Sequence, residues 1–150
     1  MLIEKLTDKN IESLYKLIKV FSDEYLLLPK SLDEIKDLAD SFIVVKADQE
    51  IIACAMLDQF TDTLAEVRTL AVAKEHQRKG LGKLLVKDCE ARAKSLGVKR
   101  VFALTYEENF FHQLGYKTVD RNSLPEKVLK TCIHCSQYSN CQEIAVIKDL

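Results

Sequence analysis

The segment at residues 66–85, EVRTLAVAKEHQRKGLGKLL, constrains the fold of this chain more than any other. Its first seven residues are rich in apolar and β-branched side chains, which predicts a strand. A helix is predicted to begin near Gly80, because apolar residues then recur at steps of three and four. The segment is therefore predicted to be a strand that passes through a polar turn into a helix packed on a sheet.

We expect one face of this helix to be buried and the other to be solvated. The apolar face consists of Leu81, Leu84, Leu85, Cys89, Ala93 and Leu96. The opposite face consists of Lys83, Lys87, Glu90 and Lys94.

The turn before the helix has the chemistry of an anion-binding site. The first N–H groups of a helix have no intrahelical partner and lie at the positive end of its dipole. Gly80 and Gly82 lack the Cβ atom that would keep an anion such as pyrophosphate away from the backbone, and Arg78, Lys79 and Lys83 add positive charge. The structural alternative is a plain strand-to-helix turn with a solvated basic first turn.

Spacing separates the phosphate-binding motifs that could occupy this turn. A P-loop needs glycine where Gln77 stands and serine or threonine where Leu84 stands. The dinucleotide fingerprint needs a third glycine where Leu85 stands. The pattern present, Q-x-x-G-x-G at residues 77–82, resembles the acetyl-CoA-binding motif of the GNAT superfamily of N-acetyltransferases, so acetyl-CoA is the expected co-substrate.

Length, charge and cysteine content limit the class of protein. The 150 residues are enough for one domain, residues 1–150, with its own core. A net charge of −1 argues against a nucleic-acid or membrane partner, and we see neither a leader nor an apolar run of spanning length. Five cysteines, an odd number, indicate reduced thiols and a cytoplasmic protein.

The remaining pattern predicts an α/β fold with a mixed, mostly antiparallel sheet and helices on both faces, not a doubly wound sheet. Strands are predicted at residues 2–6, 42–47, 51–60, 64–72, 100–105, 116–119 and 143–148. Helices are predicted at 10–21, 33–40, from 80 onward, and at 109–114, with Leu14, Leu17, Ile18 and Phe21 as the buried stripe of the first. Ser31 and Glu34 form a capping box, Asp48 and Gln49 a turn, and Gly97 a helix cap.

This order of elements is that of the GNAT fold, and the resemblance extends to a narrower group. The segments LLLPKSLDEI, AEVRTLAV, HQRKGLGKLL, FALTYEENFFHQLGYKTV and SLPEKVLKTCIHCSQYSNCQEIAVIKDL resemble the short, stand-alone bacterial N-acetylglutamate synthases. This implies an acyltransferase that acetylates the α-amino group of an amino acid, L-glutamate first of all, in arginine biosynthesis. The expected partner is therefore a small-molecule amino acid. The oligomeric state is left open, with a homodimer as one candidate.

Two alternatives to this function are kept. The first is another GNAT specificity, for a different amino acid, an amine or a protein amino group. The second is a non-catalytic module that binds acetyl-CoA or a metal.

Acetyl transfer from a thioester to an amine needs a proton acceptor and donors for the oxyanion. Glu66 is the candidate base, and Arg68 shares its strand face because side chains alternate along a strand. The planar fork of Arg68 suits a substrate carboxylate, with Lys30 as a second candidate and Lys127 and Lys130 as weaker ones. The alternative for Glu66 and Arg68 is a solvated ion pair on an exposed strand face.

The resemblance also implies which residues contact the cofactor. It places a backbone N–H near Leu70 at the thioester oxygen, and Val72 on the pantetheine arm. The full cofactor set is Leu70, Ala71, Val72, Gln77, Arg78, Lys79, Gly80, Leu81, Gly82, Lys83 and Phe110.

A general acid for the leaving thiolate is less clearly marked. Many GNAT enzymes carry a tyrosine four residues before the glycine of the last helix, and counting back from Gly115 gives Phe111. Tyr106 is the substitute candidate. Alternatively the thiolate takes its proton from water, which a thiol pKa of about 8.5 to 9 permits.

The cysteines are open to two interpretations. Cys132, Cys135 and Cys141, with His134, offer zinc ligands, but adjacent His134 and Cys135 would struggle to bind one ion, so no metal is expected. Cys54 and Cys89 lie at core-like positions, which makes an acyl-enzyme route a minor alternative. His76 and His112 are expected at the surface.

Overall fold

The computed structural model describes residues 2–124 and 143–150, and their strands form one mixed sheet. The strands are β1 (Ile3–Lys5), β2 (Phe42–Ala47), β3 (Glu50–Gln59), β4 (Leu64–Val72), β5 (Arg100–Thr105), β6 (Lys117–Val119) and β7 (Ile144–Asp149). Their order in the sheet is β1-β2-β3-β4-β5-β7-β6. β4 and β5 pair in parallel, whereas β1–β2, β2–β3, β5–β7 and β6–β7 are antiparallel. The predicted mixed, mostly antiparallel sheet is confirmed.

Four helices accompany the strands in the described residues: α1 (Ile11–Asp23), α2 (Leu32–Asp37), α3 (Leu81–Ser95) and α4 (Glu108–Gln113). The predicted stripe of α1 is confirmed, since Leu14, Leu17, Ile18 and Phe21 are all buried, together with Ile11. An apolar stripe of this width holds a helix against a core.

The chain divides into two compact units, each with its own core. The first contains Met1–Asp58 and Val67–Arg92, and the second contains Gln59–Glu66 and Ala93–Leu150. The core of the first unit is formed mainly by α1, β2 and β3, with Leu14, Ile18, Phe42 and Met56 among its buried side chains. The core of the second unit includes Leu64, Phe102, Leu124, Ala145 and Ile147.

The local signals at turns and helix ends are confirmed. Asp48 and Gln49 have φ values of 50° and 72°, which give the hairpin turn a twist that matches its strands. The Oγ of Ser31 accepts a hydrogen bond from the Glu34 N–H at 3.1 Å, and the Ser31 N–H donates to Glu34 Oε1 at 3.0 Å. This backbone hydrogen bond from Ser31 is the main cause that lowers the pKa of Glu34.

The predicted second helix is too long, because α2 ends at Asp37 and residues Ala39–Ser41 form a separate 3₁₀ turn. Leu38 leaves the helical conformation at φ −102° and ψ 10°, which ends the α-helical ladder.

The buried face of α3 is only partly as predicted. Leu81, Leu85, Cys89 and Ala93 are buried, but Leu84 and Leu96 are 39% and 55% exposed. Glu90, predicted to be solvated, is 8% exposed, and Val86 is wholly buried. The buried face of α3 includes Val86 and Glu90 in place of Leu84 and Leu96. Residues on both sides of Leu81 and Leu85 fit the helical period, so tertiary packing decides which side is buried.

The C-terminus of α3 is closed by the glycine that the sequence predicts. Gly97 has a φ of 81°, its N–H donates to the Lys94 carbonyl at 3.0 Å, and the Val98 N–H donates to the Ala93 carbonyl at 3.0 Å. This is the Schellman arrangement, in which a left-handed glycine satisfies the last helical carbonyls.

Candidate active site

The predicted connection from strand to helix is present in the first unit. β4 ends at Val72, a 3₁₀ turn follows at Lys74–His76, and α3 begins at Leu81. The Ala73 N–H donates to the Ile52 carbonyl at 2.8 Å, which ties the start of the turn to β3. The turn therefore has a fixed point of departure from the sheet.

The backbone of this turn bends sharply just before the helix. Arg78 and Gly80 have φ values of 64° and 82°, both in the left-handed region. Gln77 Nε2 donates to the Val72 carbonyl at 2.9 Å, so its side chain braces the turn from within. The Leu84 N–H donates to the Gly80 carbonyl at 3.0 Å, which places Gly80 at the N-cap.

This geometry produces the features of an anion site. The N–H groups of Leu81, Gly82 and Lys83 come before Leu84, whose N–H is the first in α3 to donate to a carbonyl four residues back, so the helix offers them no partner. The side chains of Arg78, Lys79 and Lys83 are exposed, and Lys79 Nζ lies 3.3 Å from His76 Nδ1. A Cβ atom at Gly80 would meet nothing within 4 Å, so the reason for glycine at this position is its positive φ.

The structure adds an irregularity in β4 that the sequence does not signal. Thr69 has a φ of 52°, a left-handed conformation that a β-branched residue rarely adopts. A residue with this φ interrupts the extended course of a strand, as a β-bulge does, and redirects the backbone groups next to it. We call this irregularity at Thr69 the bulge in β4. The bulge immediately precedes Leu70, the residue that the resemblance places at the thioester oxygen.

Arg68 is held by an acidic residue that sequence reasoning missed. Its Nη1 donates to Asp58 Oδ2 at 2.9 Å, and the two side chains are 22% and 35% exposed. The available signal was an aspartate near the end of the otherwise apolar run of β3, which a solvated strand end explains equally well. Arg68 is thus a half-buried guanidinium in a fixed ion pair.

Glu66 lies in β4 within the second unit and is only 6% exposed. It is therefore not the solvated side chain of the alternative interpretation. In the described part of the chain, every buried side-chain nitrogen or oxygen has a hydrogen-bond partner.

The other candidates divide between the two units. Lys30 is half-buried in the first unit, just before α2, and its charge contributes slightly to the lowered pKa of Glu34, after the Ser31 hydrogen bonds. In the second unit, Tyr106 follows β5 and is 41% exposed. Lys127 and Lys130 lie outside the described residues, as do Cys132, His134, Cys135 and Cys141.

Phe110 and Phe111 both lie on α4 and contact each other edge to face, with ring centroids 5.1 Å apart. Phe111 is buried and also contacts the Tyr116 ring at 5.1 Å. The position that carries a tyrosine acid in many GNAT enzymes is thus filled by a core aromatic without a hydroxyl group.

The described cysteines are unsuited to nucleophilic catalysis. Cys54 and Cys89 are wholly buried, and burial raises the pKa of each thiol to about 12. A thiol needs to form a thiolate in order to attack, so these two residues do not support the acyl-enzyme alternative. Within residues 2–124 and 143–150, no group of three metal-binding side chains comes together.

Comparison with known proteins defines the family. Residues 8–116 match the model of the acetyltransferase (GNAT) family. The chain belongs to this family and is an acyltransferase whose co-substrate is acetyl-CoA.

Proteins of similar sequence are also acetyltransferases by name. Over 130 residues the chain is 35% identical to an uncharacterized N-acetyltransferase of Chlorobaculum tepidum, covering 87% of this chain and 84% of the relative. It is 28% identical over 123 residues to the amino-acid acetyltransferase of Pasteurella multocida, covering 81% of this chain. This chain spans only 28% of that longer relative.

Solved structures share the fold. The N-acetylglutamate synthase of Neisseria gonorrhoeae, complexed with coenzyme A and N-acetyl-glutamate, aligns with a TM-score of 0.89 at 23% identity, over 99% of this chain and 35% of that chain. Rv2747 of Mycobacterium tuberculosis, in complex with CoA and NLQ, aligns with a TM-score of 0.84 at 19% identity, over 100% of this chain and 99% of that one. Separately, none of the helices in the described residues has both the length and the apolar composition of a membrane span.

Proposed function

We propose that this chain acetylates the α-amino group of L-glutamate with acetyl-CoA, as an N-acetylglutamate synthase that begins arginine biosynthesis. The observation that supports acetyl-CoA as the acetyl donor is the turn between β4 and α3, where Arg78 and Gly80 have left-handed conformations just before the helix N-terminus. The acceptor half is supported by the names of two similar proteins, an amino-acid acetyltransferase and an N-acetylglutamate synthase. We also propose that the protein acts in the cytoplasm. We treat residues 1–150 as a single acetyltransferase domain.

In this proposal the pyrophosphate of acetyl-CoA binds the N–H groups at the start of α3, where the helix dipole favours an anion. Arg78, Lys79 and Lys83 add charge around the same backbone. The pantetheine arm then runs along β4, past Val72 and Ala71, and Phe110 contacts the cofactor. The Leu70 N–H donates to the thioester oxygen, where negative charge develops in the transition state.

The reaction is a direct attack. The neutral amine of glutamate forms a bond to the thioester carbon, Glu66 accepts a proton from the nitrogen, and the oxyanion is held by the Leu70 N–H. The C–S bond then breaks, and the electron pair leaves on sulfur as the thiolate of CoA. The thiolate takes a proton from Tyr106 or from water, since Phe111 has none to give.

The acceptor brings two carboxylates, so the proposed site needs fixed positive charge. Arg68 supplies it, because a guanidinium can bind a carboxylate through two parallel hydrogen bonds. Asp58 holds the same guanidinium at 2.9 Å through Nη1, which limits its freedom before substrate arrives. Lys30 is the second candidate, although its charge already contributes to the lowered pKa of Glu34, after the Ser31 hydrogen bonds.

The test compares CoA release with amines that differ in one group at a time. Glutamate is compared with glutamine, which has a neutral side chain, and with 4-aminobutyrate, which lacks the α-carboxylate. We expect glutamate to give the highest kcat/KM. Equal or faster release with 4-aminobutyrate would remove the amino-acid specificity, and acetyl-CoA binding without turnover on any amine would favour the non-catalytic module.

A further inference from the structure

The bulge in β4 is bonded to a side chain of the neighbouring strand β3. Cys54 Sγ donates a hydrogen bond to the Thr69 carbonyl at 3.2 Å. Burial raises the pKa of this thiol, and the backbone of Ala71 lowers it to a smaller extent. Leu70, the proposed oxyanion donor, directly follows the residue that the thiol holds.

We propose that Cys54 is a positioning residue, which fixes the bulge at Thr69 and thereby the direction of the Leu70 N–H. The inference rests on the proposed function, which gives this N–H its part in the reaction. Cys54 does not touch the substrate in this account, and it acts only through the backbone of β4.

The need for such a contact follows from the conformation of β4. Buried backbone groups require partners, and a bulge disrupts the regular ladder that would supply them. A left-handed β-branched residue such as Thr69 is also strained, and strain of this kind persists only where the surroundings hold it. The Cys54 thiol gives the Thr69 carbonyl a donor.

A cysteine suits this position for two reasons. Its side chain is small and apolar enough to be wholly buried in the core of the first unit, yet its S–H is a weak donor and its sulfur a weak acceptor. Burial raises the pKa of the thiol to about 12, so the donated proton stays on sulfur at ordinary pH.

The alternative is that Cys54 only fills space, and three variants separate the two roles. Cys54→Val keeps an apolar side chain, slightly larger than the thiol, and removes the hydrogen bond to Thr69. Cys54→Ser keeps a donor, and Cys54→Ala removes the bond and part of the volume together. Cys89 provides the matched control, because it is also wholly buried in the first unit but lies on α3, and no hydrogen bond joins it to the Thr69 carbonyl.

For Cys54→Val we expect kcat to fall roughly tenfold to a hundredfold, the scale of a slightly misplaced catalytic group, while the KM for acetyl-CoA changes little. Cys54→Ser should recover most of the loss, and Cys89→Val should show none. Each variant is first compared with the parent by its urea unfolding midpoint. Parental kcat in Cys54→Val, or equal losses in the Val and Ser variants or at position 89, would overturn the proposal.

A second measurement does not depend on activity. Amide hydrogen exchange by NMR on the apo protein should accelerate roughly three- to tenfold at Ala71 in Cys54→Val, as expected when the hydrogen bond that holds the nearby Thr69 backbone is lost, and stay parental in Cys54→Ser. Unchanged exchange at Ala71 would overturn the contact itself. If the parent acetylates no amine while exchange behaves as expected, the proposed function fails and the holding of the bulge by Cys54 stands.

Discussion

Two glutamates are buried in the described residues. One lies on a strand and the other on a helix, so the second serves as a control for the proposed base. Glu66 lies in β4 at 6% exposure, and Glu90 lies on α3 at 8% exposure. Both carboxylates are shielded from water to a similar degree. Only Glu66 lies on the strand that is proposed to carry the thioester.

We expect Glu66→Gln to lower turnover roughly 10²- to 10⁴-fold, because it keeps the shape and removes the proton acceptor. The loss should shrink at high pH, where hydroxide can take the proton from the attacking nitrogen in place of Glu66. Glu90→Gln should leave turnover near that of the parent. The measurement is kcat as a function of pH for both variants, and a parental profile in Glu66→Gln would exclude Glu66 as the base.

A second pair of matched residues tests the acceptor site. Arg68 pairs with Asp58 at 2.9 Å and Arg92 pairs with Asp88 at 3.3 Å, and both arginines are half-buried in the first unit. Lysine keeps the charge of either residue but loses the planar fork. Arg68→Lys should therefore raise the KM for glutamate, at a cost of roughly 1.5 to 3 kcal/mol, before it changes that for acetyl-CoA.

Arg92→Lys serves as the control and should leave both KM values unchanged. Steady-state kinetics with both substrates varied provides the measurement. An unaltered glutamate KM in Arg68→Lys would remove Arg68 from the acceptor site.

At the scale of elements, the unit β4–turn–α3 could be predicted because its signals are local. Glycine spacing, strand composition and helical periodicity are all read within about twenty residues. The bulge at Thr69 could not be predicted, since threonine is among the residues that favour regular strands. The pair Arg68–Asp58 also escaped prediction, because it depends on which residues of β3 and β4 lie opposite each other.

The cofactor turn is tested by Gly82→Leu. Gly82 lies in the first turn of α3, where an L-residue fits the helix, so the variant should fold. Its side chain would occupy the space where the pyrophosphate approaches the backbone, and we expect CoA binding to be lost. Gly80 is a poorer choice, because its φ of 82° would strain any other residue.

The control for Gly82→Leu is Ala91→Leu, which places the same side chain at an exposed position further along α3. Calorimetric titration with CoA compares the two variants with the parent. Binding that is unchanged in Gly82→Leu would contradict the assignment of this turn to the cofactor.

At the scale of the whole molecule, the sequence predicts the fold because the order of its elements matches one family over residues 8–116. Hydrophobic pattern and turn residues fix which segments become strands and helices. The buried flank of α3 and the burial of Glu90 depend instead on tertiary packing, and here the prediction was wrong. The sequence therefore predicts the backbone elements of the candidate site. It predicts the burial and pairing of the charged side chains less completely.

The stability of the whole chain should depend at alkaline pH on the two thiols that are buried in the described residues. The pKa values of Cys54 and Cys89 are raised by burial from 9.0 to about 12 in the folded state. Their contribution is fully present below pH 9, and it is lost as the pH rises toward 12, because the unfolded chain releases these protons first.

Between pH 8 and pH 10 we expect the free energy of unfolding to fall by about 1.4 kcal/mol for each thiol, relative to a Cys54→Ser, Cys89→Ser double variant. Urea unfolding of both proteins at the two pH values measures this difference, and groups common to both proteins cancel. Parallel pH dependence in the two proteins would contradict the raised pKa values.

The central claim, direct transfer of acetyl from acetyl-CoA to the amino group of glutamate, is tested by following the label of acetyl-labelled CoA through a single turnover. With enzyme in excess over labelled acetyl-CoA and glutamate added, we predict that the label passes to N-acetylglutamate and that none is covalently bound to the protein at any time. Label on the protein before product forms would contradict direct attack, and no labelled N-acetylglutamate at all would contradict the proposed function.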